Sequence, residues 1–358
     1  MKRHLRVWGL IITLSLLVAC SPTPTAAPLP TPVPVRGKLR LFLVNSYAED
    51  DFWSQQVRTG ILETLARGGY TSVDGTLEME TFHMDVRQVS VIYEATPAAL
   101  RAVEKLMEFE PDIVIVSGDE ATRTIIPLYF DPTLPFVFCG VNSARSLEGV
   151  DYANVTGILE SQHPVQTVAL AYALIEGAQQ YMVLGDGSVS GKARALSAYG
   201  ALLQSEYGTP APRFRMAPTW AQWQRTVLEE ASGVDFILLA SHQGVTDAAG
   251  QLIDEKEVIA WMLENSPVPV FALTNIAIIN GAVGGLVSYG YEEGVSVGEV
   301  VLRLAAGEQP ADIPIHGPER NLLAINLAST RHWNLRIPVT FPIAARIYGS
   351  LPAAQGGQ

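Results

Sequence analysis

From Lys38 onward, short apolar runs that end in small polar residues alternate with longer segments at helical spacing, and this pattern constrains the fold more than any other. "KLRLFLVNS" reads as a strand. "DFWSQQVRTGILETLARGG" follows as a helix, with Phe52, Val57, Ile61, Leu62 and Leu65 near helical spacing and Gly68-Gly69 as a stop. "LEMETFHMD" alternates like a strand. "TPAALRAVEKLMEFEP" predicts a helix capped by Thr96, with Pro97 first and Pro111 beyond its end. "DIVIVSGDE" and "LPFVFCGVN" read as buried strands. The alternation resumes with the helix "HPVQTVALAYALIEGA", the strand "QYMVLGDGS" and the helix "VSGKARALSAYGALLQSEYG". Next come "APRFRMA" (strand), "TWAQWQRTVLEEAS" (helix), "VDFILLASH" (strand), "DEKEVIAWMLENS" (helix) and "VPVFALTN" (strand). "GGLVSYGYEEG" is a last short strand and "VSVGEVVLRLAAGEQP" a helix ended by Gly307 and Pro310.

Strands alternating with helices specify α/β structure, a parallel sheet covered on both faces. There are too many units for one small domain. Two doubly wound parallel-sheet lobes account for them, with a junction near "NVTGILESQHP". No motif repeats between the halves.

In open parallel sheets, ligands bind beyond the carboxyl ends of the strands. The residues placed there are Asn45-Ser46-Tyr47, Ser117-Gly118-Asp119, Gly140-Val141-Asn142, Asp186-Gly187-Ser188, Ser241-His242, Thr274-Asn275 and Ser288-Tyr289. Helix amino termini follow, whose free amides favour anions. The candidate ligand set is Ser46, Tyr47, Ser117, Asp119, Asn142, Asp186, Ser188, Ser241, Thr274, Asn275 and Tyr289. Each of these residue types also caps helices, so the expectation rests on the set: two such rims facing each other make a cleft for a small polar ligand. Tyr47, Phe52, Trp53, Tyr289 and Tyr291 are candidates for stacking on it.

Chemistry that needs a signature finds none. "GDGSVSGKA" resembles a phosphate loop, but Gly185 and Gly191 are one residue too far apart and Ala193 replaces the required hydroxyl. Val189 occupies the centre of Gly187 to Gly191, so that pentapeptide is no nucleophile elbow. His83, His163, His242, His316 and His332 are scattered without metal spacing. No catalytic residue, metal or cofactor is therefore expected. The formal net charge is −12, a poor match for nucleic acid.

The amino end is of another kind. Lys2, Arg3 and Arg6 precede an apolar run from Val7 to Ala19, too short for a bilayer span and arranged like a secretory signal. Leu17-Val18-Ala19-Cys20 resembles the lipobox of bacterial lipoproteins, which implies cleavage before Cys20 and lipidation of its thiol. Loss of the three cations takes the net charge to −15. Pro22, Pro24, Pro28, Pro30, Pro32 and Pro34 then favour an extended spacer that cannot pack a core. Only Cys139 is left. In the apolar run "PFVFCGVN" it reads as a buried structural thiol rather than a nucleophile.

"GGLVSYGYEEGVSVGEVVLRLAAGEQPADIPI" with "NLLAINLASTRHWNLRIP" resembles the carboxyl part of the ABC-transporter substrate-binding lipoproteins that include tryptophan- and tyrosine-binding members. "NVTGILESQHPVQTVAL" resembles that family's crossover, and "LFLVNSYAEDDFWSQQVRTGI" the opening of a related subgroup of histidine-kinase sensor domains. The resemblance implies a type I periplasmic-binding-protein fold with a three-segment hinge. The crossings fall near Val141 to Leu159, Ser288 to Glu292 and Ile313 to Asn321. It implies a signal at 1–19, a lipid-anchored linker at 20–37, one lobe of 38–148 plus 290–313, and another of 149–289 plus 314–358. The helix Val295 to Ala306 returns to the first lobe, and the chain from Leu322 finishes in the second. The implied role is an extracytoplasmic, membrane-anchored monomer that binds a small ligand and meets an ABC permease. A ligand sensor acting on a membrane receptor shares these features, and a secreted enzyme on a two-domain α/β scaffold is the third reading.

Overall fold

The structure of the chain is a computed structural model that describes residues 37–349, apart from 88, 130, 143–146, 148–152, 161, 206–209, 319 and 338–344. The expected signal, Cys20 and nearly all of the linker lie outside the described residues.

The apolar runs form strands and the periodic segments form helices. β1 (Leu39–Asn45) leads into α1 (Phe52–Arg67). Asp51 caps α1 by accepting from Ser54 N, and Gly68 closes it by donating to Thr64 O. β2 (Leu77–His83), α2 (Thr96–Phe109), β3 (Ile113–Ser117), α3 (Asp119–Leu128), β4 (Phe136–Val141) and β5 (Val155–Leu159) follow. Thr96 lies inside α2 rather than capping it: Ala95 is the N-cap, and the 3-10 turn Ile92–Ala95 runs straight into the helix. The first sheet has the order β2-β1-β3-β4-β5 and is parallel throughout. Phe42, Val44, Val114 and Val116 pack one face under α2 and α3; Leu41, Leu43, Ile115 and Val137 pack the other under α1. Burial on both faces explains why β3 reads as an unbroken apolar run.

The second lobe contains α4 (Pro164–Leu174), β6 (Tyr181–Gly185), α5 (Val189–Leu203), β7 (Arg213–Met216), α6 (Trp220–Arg225), β8 (Phe236–Leu239), α7 (Glu255–Asn265), β9 (Val270–Ala272), α8 (Asn275–Ile279) and β10 (Gly284–Val287). Its parallel sheet runs β7-β6-β8-β9. Val283 N donates to Val270 O, and Thr274 bridges Ser288, which joins β10 to that edge. α9 (Gly290–Ala305) then returns to the first lobe, where Val297, Val300 and Val301 pack against Val57, Ile61 and Leu65 of α1. β11 (Leu322–Asn326), α10 (Leu327–His332) and β12 (Arg346–Tyr348) complete the second lobe. β11 pairs antiparallel with β10, an antiparallel addition beside the expected parallel sheet of this lobe.

The first crossing lies later than expected. β5 pairs with β4, so the chain stays in the first lobe through Leu159 and leaves it over Glu160 to His163. The boundary after residue 148 thus becomes one after Leu159. Part of the expected Val141 to Leu159 crossing lies outside the described residues. The second crossing, Ser288-Tyr289, joins β10 to α9. The third runs beside β5, where Thr156 Oγ donates to Ile313 O and Leu159 N donates to His316 O.

Candidate functional site

The carboxyl ends of the two sheets face one another, and a narrow cavity lies between them. From the first lobe it is lined by Tyr47, Phe52, Trp53, Gln56 and Arg87, and from the second by Arg194, Gln243, Thr274, Asn275 and Ile276. Glu160 and Ser288 of the crossings complete it. Its free volume is small, about 30 Å³, so an amino-acid-sized solute would need the lobes to part.

One wall is aromatic. Trp53 sits at the start of α1, and Tyr47 meets it edge-on with ring centroids 6.2 Å apart. The far edge of the indole lies over Gly140, which has φ +65°. A Cβ at Gly140 would lie 2.2 Å from Trp53 Cη2, so glycine both permits that backbone and leaves room for the ring. The guanidinium of Arg87 lies 4.0 Å from the centroid of Tyr47 and pairs with Asp51. Burial, then the charge of Glu120, pushes the Tyr47 hydroxyl well above its usual range.

A polar network forms the floor. Arg194 of α5 donates from Nη2 to both carboxylate oxygens of Glu160, at 3.0 and 2.9 Å, and from Nε to Asn142 Oδ1 at 3.1 Å. Asn142 Nδ2 donates to Asp119 Oδ2 at 2.5 Å, and Ser288 Oγ donates to Glu160 Oε1 at 2.6 Å. First lobe, crossing and second lobe are thereby tied together. Burial raises the Arg194 guanidinium's cost, but the neighbouring Glu160 outweighs it and holds the cation above its ordinary value. Two buried donors in the lining have no hydrogen-bond partner: Trp53 Nε1 from the first lobe and Asn275 Nδ2 from the second. Buried donors are rarely left so, and both belong to residues of the cleft lining.

Of the residues expected to bind ligand, Tyr47, Thr274 and Asn275 line the cavity. The others stand at strand ends as expected, but none is in the lining. Ser46 Oγ accepts from Ala121 N and donates to Ser117 O, which ties β1 to β3. Asp119 and Asn142 belong to the floor network beneath the lining. Asp186 accepts from Ser188 N, Ser188 Oγ and Gly244 N, and Ser188 caps α5 through Gly191 N. Ser241 Oγ accepts from Asp186 N. Tyr289 turns to Arg346, whose Nη1 donates to its hydroxyl at 3.1 Å. Strand-end hydroxyls and carboxylates mostly close their own loops, whereas the long side chains of Gln56, Arg87, Glu160, Arg194 and Gln243 reach the cleft. Of the further stacking candidates, Phe52 and Trp53 line it, while Tyr291 donates its hydroxyl to Glu63. Cys139 is fully buried on β4, and burial pushes its thiol up. Among the described residues no cluster of acids, histidines and cysteines could hold a metal ion, and no helix is long and apolar enough to cross a membrane.

Comparison with solved structures places this architecture. The ABC domain from Streptococcus pneumoniae in complex with L-Trp superposes with a TM-score of 0.70 at 16% identity, covering 87% of this chain and 100% of that one. A conserved domain protein from Vibrio cholerae gives 0.67 at 18% identity, with 87% and 99% covered. The ligand-free, open structure of a substrate-binding protein with adhesive properties from Clostridium difficile gives 0.65 at 13% identity, again with 87% and 99% covered. The chain therefore has the type I periplasmic-binding-protein fold, and solute-binding proteins of ABC transporters share it, in agreement with the sequence resemblance. No protein-family model and no curated protein matched the sequence.

Proposed function

We propose that this chain is an extracytoplasmic solute-binding protein, held to a membrane by lipidated Cys20, that captures a small ligand between its lobes and presents the closed form to an ABC importer. The observation that carries the reading is the pair of unpartnered buried donors, one from each lobe, in a cleft that also holds an aromatic wall. Trp53 Nε1 and Asn275 Nδ2 suit a carboxylate or carbonyl. Tyr47, Phe52, Trp53 and Ile276 suit an apolar, planar part. Glu160, already paired with Arg194, supplies a carboxylate to the lining that would suit an ammonium group. An amino acid or a related small molecule combines these features. In this reading the ligand is bound and released unchanged.

A thermal-shift screen over amino acids, nucleosides and sugars tests the proposal. One class is expected to raise the melting temperature, and the compound should be recovered unaltered. Trp53→Phe keeps an aromatic ring but removes the indole N–H and the ring edge over Gly140. It should weaken affinity for that compound about tenfold, the worth of one hydrogen bond to a charged group, with affinity compared at a temperature where both unliganded proteins are folded. Equal affinity in wild type and Trp53→Phe would remove the indole from ligand recognition.

A further inference from the structure

The lobes are also joined outside the cavity, at the first turn of α5. Val189 N donates to Val89 O of the first lobe at 3.1 Å. Ser190 N donates to Glu120 Oε1 of α3 at 3.2 Å, and Lys192 Nζ donates to Ser90 O at 2.8 Å. Ser188 Oγ takes Gly191 N, so the first three amides of α5 are all engaged and two of them cross to the other lobe. Glu120 is fully buried, its Oε2 has no hydrogen-bond partner, and it is not among the residues that line the cavity. A carboxylate aimed at the amino end of a helix is favoured by the amides and by the helix dipole. Here carboxylate and helix belong to different lobes.

We infer that Glu120 is a positioning residue that clasps the two lobes: it sets how readily the cleft shuts, without touching the ligand. The small free volume of the cleft, about 30 Å³, agrees with lobes held together by protein–protein contacts as well as by a solute. The inference rests on the two-lobe reading above, but its test needs no ligand, so its failure is separable from a failed ligand screen.

The groups facing Glu120 fix the sign of its pH response. Asp119 adjoins it on α3, Tyr47 and Arg87 approach from the first lobe, and Ser190, with Lys192 and Arg194 on the same helix, faces it from the second. Burial, then Asp119, raises its carboxyl from the usual 4.5 to about 7, against the Ser190 amide and Arg87. Opening returns the group to water and to its ordinary value. The closed form therefore holds the proton more tightly, and closure is favoured as pH falls from about 7 toward 4.5. Each unit of difference is worth about tenfold in the ratio of closed to open.

The experiment is double electron–electron resonance on the ligand-free chain with spin labels at Val73→Cys and Arg225→Cys. Both positions are exposed, and each lies beside an edge strand far from the hinge. The ratio of closed to open should rise about tenfold or more between pH 7.5 and 5 in wild type. Glu120→Gln keeps an acceptor for Ser190 N and does not titrate; it should stay closed across that range. Glu120→Ala should shift to the longer distance at every pH. Ser190→Pro removes the same donor at a helix position that tolerates proline, and should open the lobes without unfolding α5. Distance distributions that are the same in all four proteins, or an equal pH response in wild type and Glu120→Gln, would overturn the clasp.

Discussion

Replacing Arg194 by methionine is expected to cost the closed form about 3–5 kcal/mol, because it strips a buried carboxylate of its partner. The side chain of Glu160 is 2% exposed and that of Arg194 12%. Both carboxylate oxygens accept from Arg194, and among the described residues Oε1 keeps one further donor, Ser288 Oγ. Glu293 makes the loss worse. It is fully buried on α9 with one oxygen accepting from Gly140 N, and burial followed by the nearby charge of Glu160 holds its carboxyl well above the ordinary range. Without Arg194 the floor keeps its acids and loses its cation. Opening relieves the penalty, so calorimetric titration with the solute at neutral pH or above should show affinity at least about a hundredfold weaker. The double variant Arg194→Met, Glu160→Met should recover most of the closed form, since a buried pair replaced by apolar residues is often neutral. Affinity within about threefold of wild type in Arg194→Met alone would mean that the pair does not support closure.

The second large effect is expected at the seam of α1 and α9. A Cβ on Gly294 would lie 2.0 Å from Val57 O, and one on Gly60 would lie 2.2 Å from Tyr291 O. These are backbone atoms, so no side chain can swing away to make room. Gly294→Val must push α9 off α1, breaking the packing of Val297 and Val301 on Val57 and Ile61. A loss of about 3 kcal/mol or more is expected, at the upper end of overpacking effects. It should appear as a lower urea midpoint with little change in slope. Gly200→Ala is the control. It lies inside α5 with nothing within 4 Å of the added methyl, and should leave stability unchanged or raise it by up to about 1 kcal/mol.

Most of the fold was legible because parallel strands buried on both faces leave a dense apolar signature. All five residues of β3 and all five of β6 are buried, and both runs are visible in the sequence. β5 was missed because Gly157 interrupts its apolar residues and the segment is short. That miss carried into the site. Glu160 directly follows β5 and is a strand-end acid by the same rule that selected Asp119. Once β5 is recognised, Glu160 joins the candidates. Arg194 offered less: a basic residue within an amphipathic helix normally faces water, and only the packing of α5 beneath the opposite lobe turns it inward. The small hydroxyl and carboxyl residues were placed correctly at strand ends, yet they were spent on loops. Local hydrogen bonding competes for such short side chains, so strand-end position alone does not separate a ligand contact from a cap.

Native mass spectrometry of the purified chain most directly tests capture of a solute between the lobes. One complex heavier than the bare polypeptide by a single small molecule is expected, either as purified or after incubation with amino acids, nucleosides and sugars, with the extra mass lost on unfolding. A species at the bare polypeptide mass under every one of those conditions would contradict it.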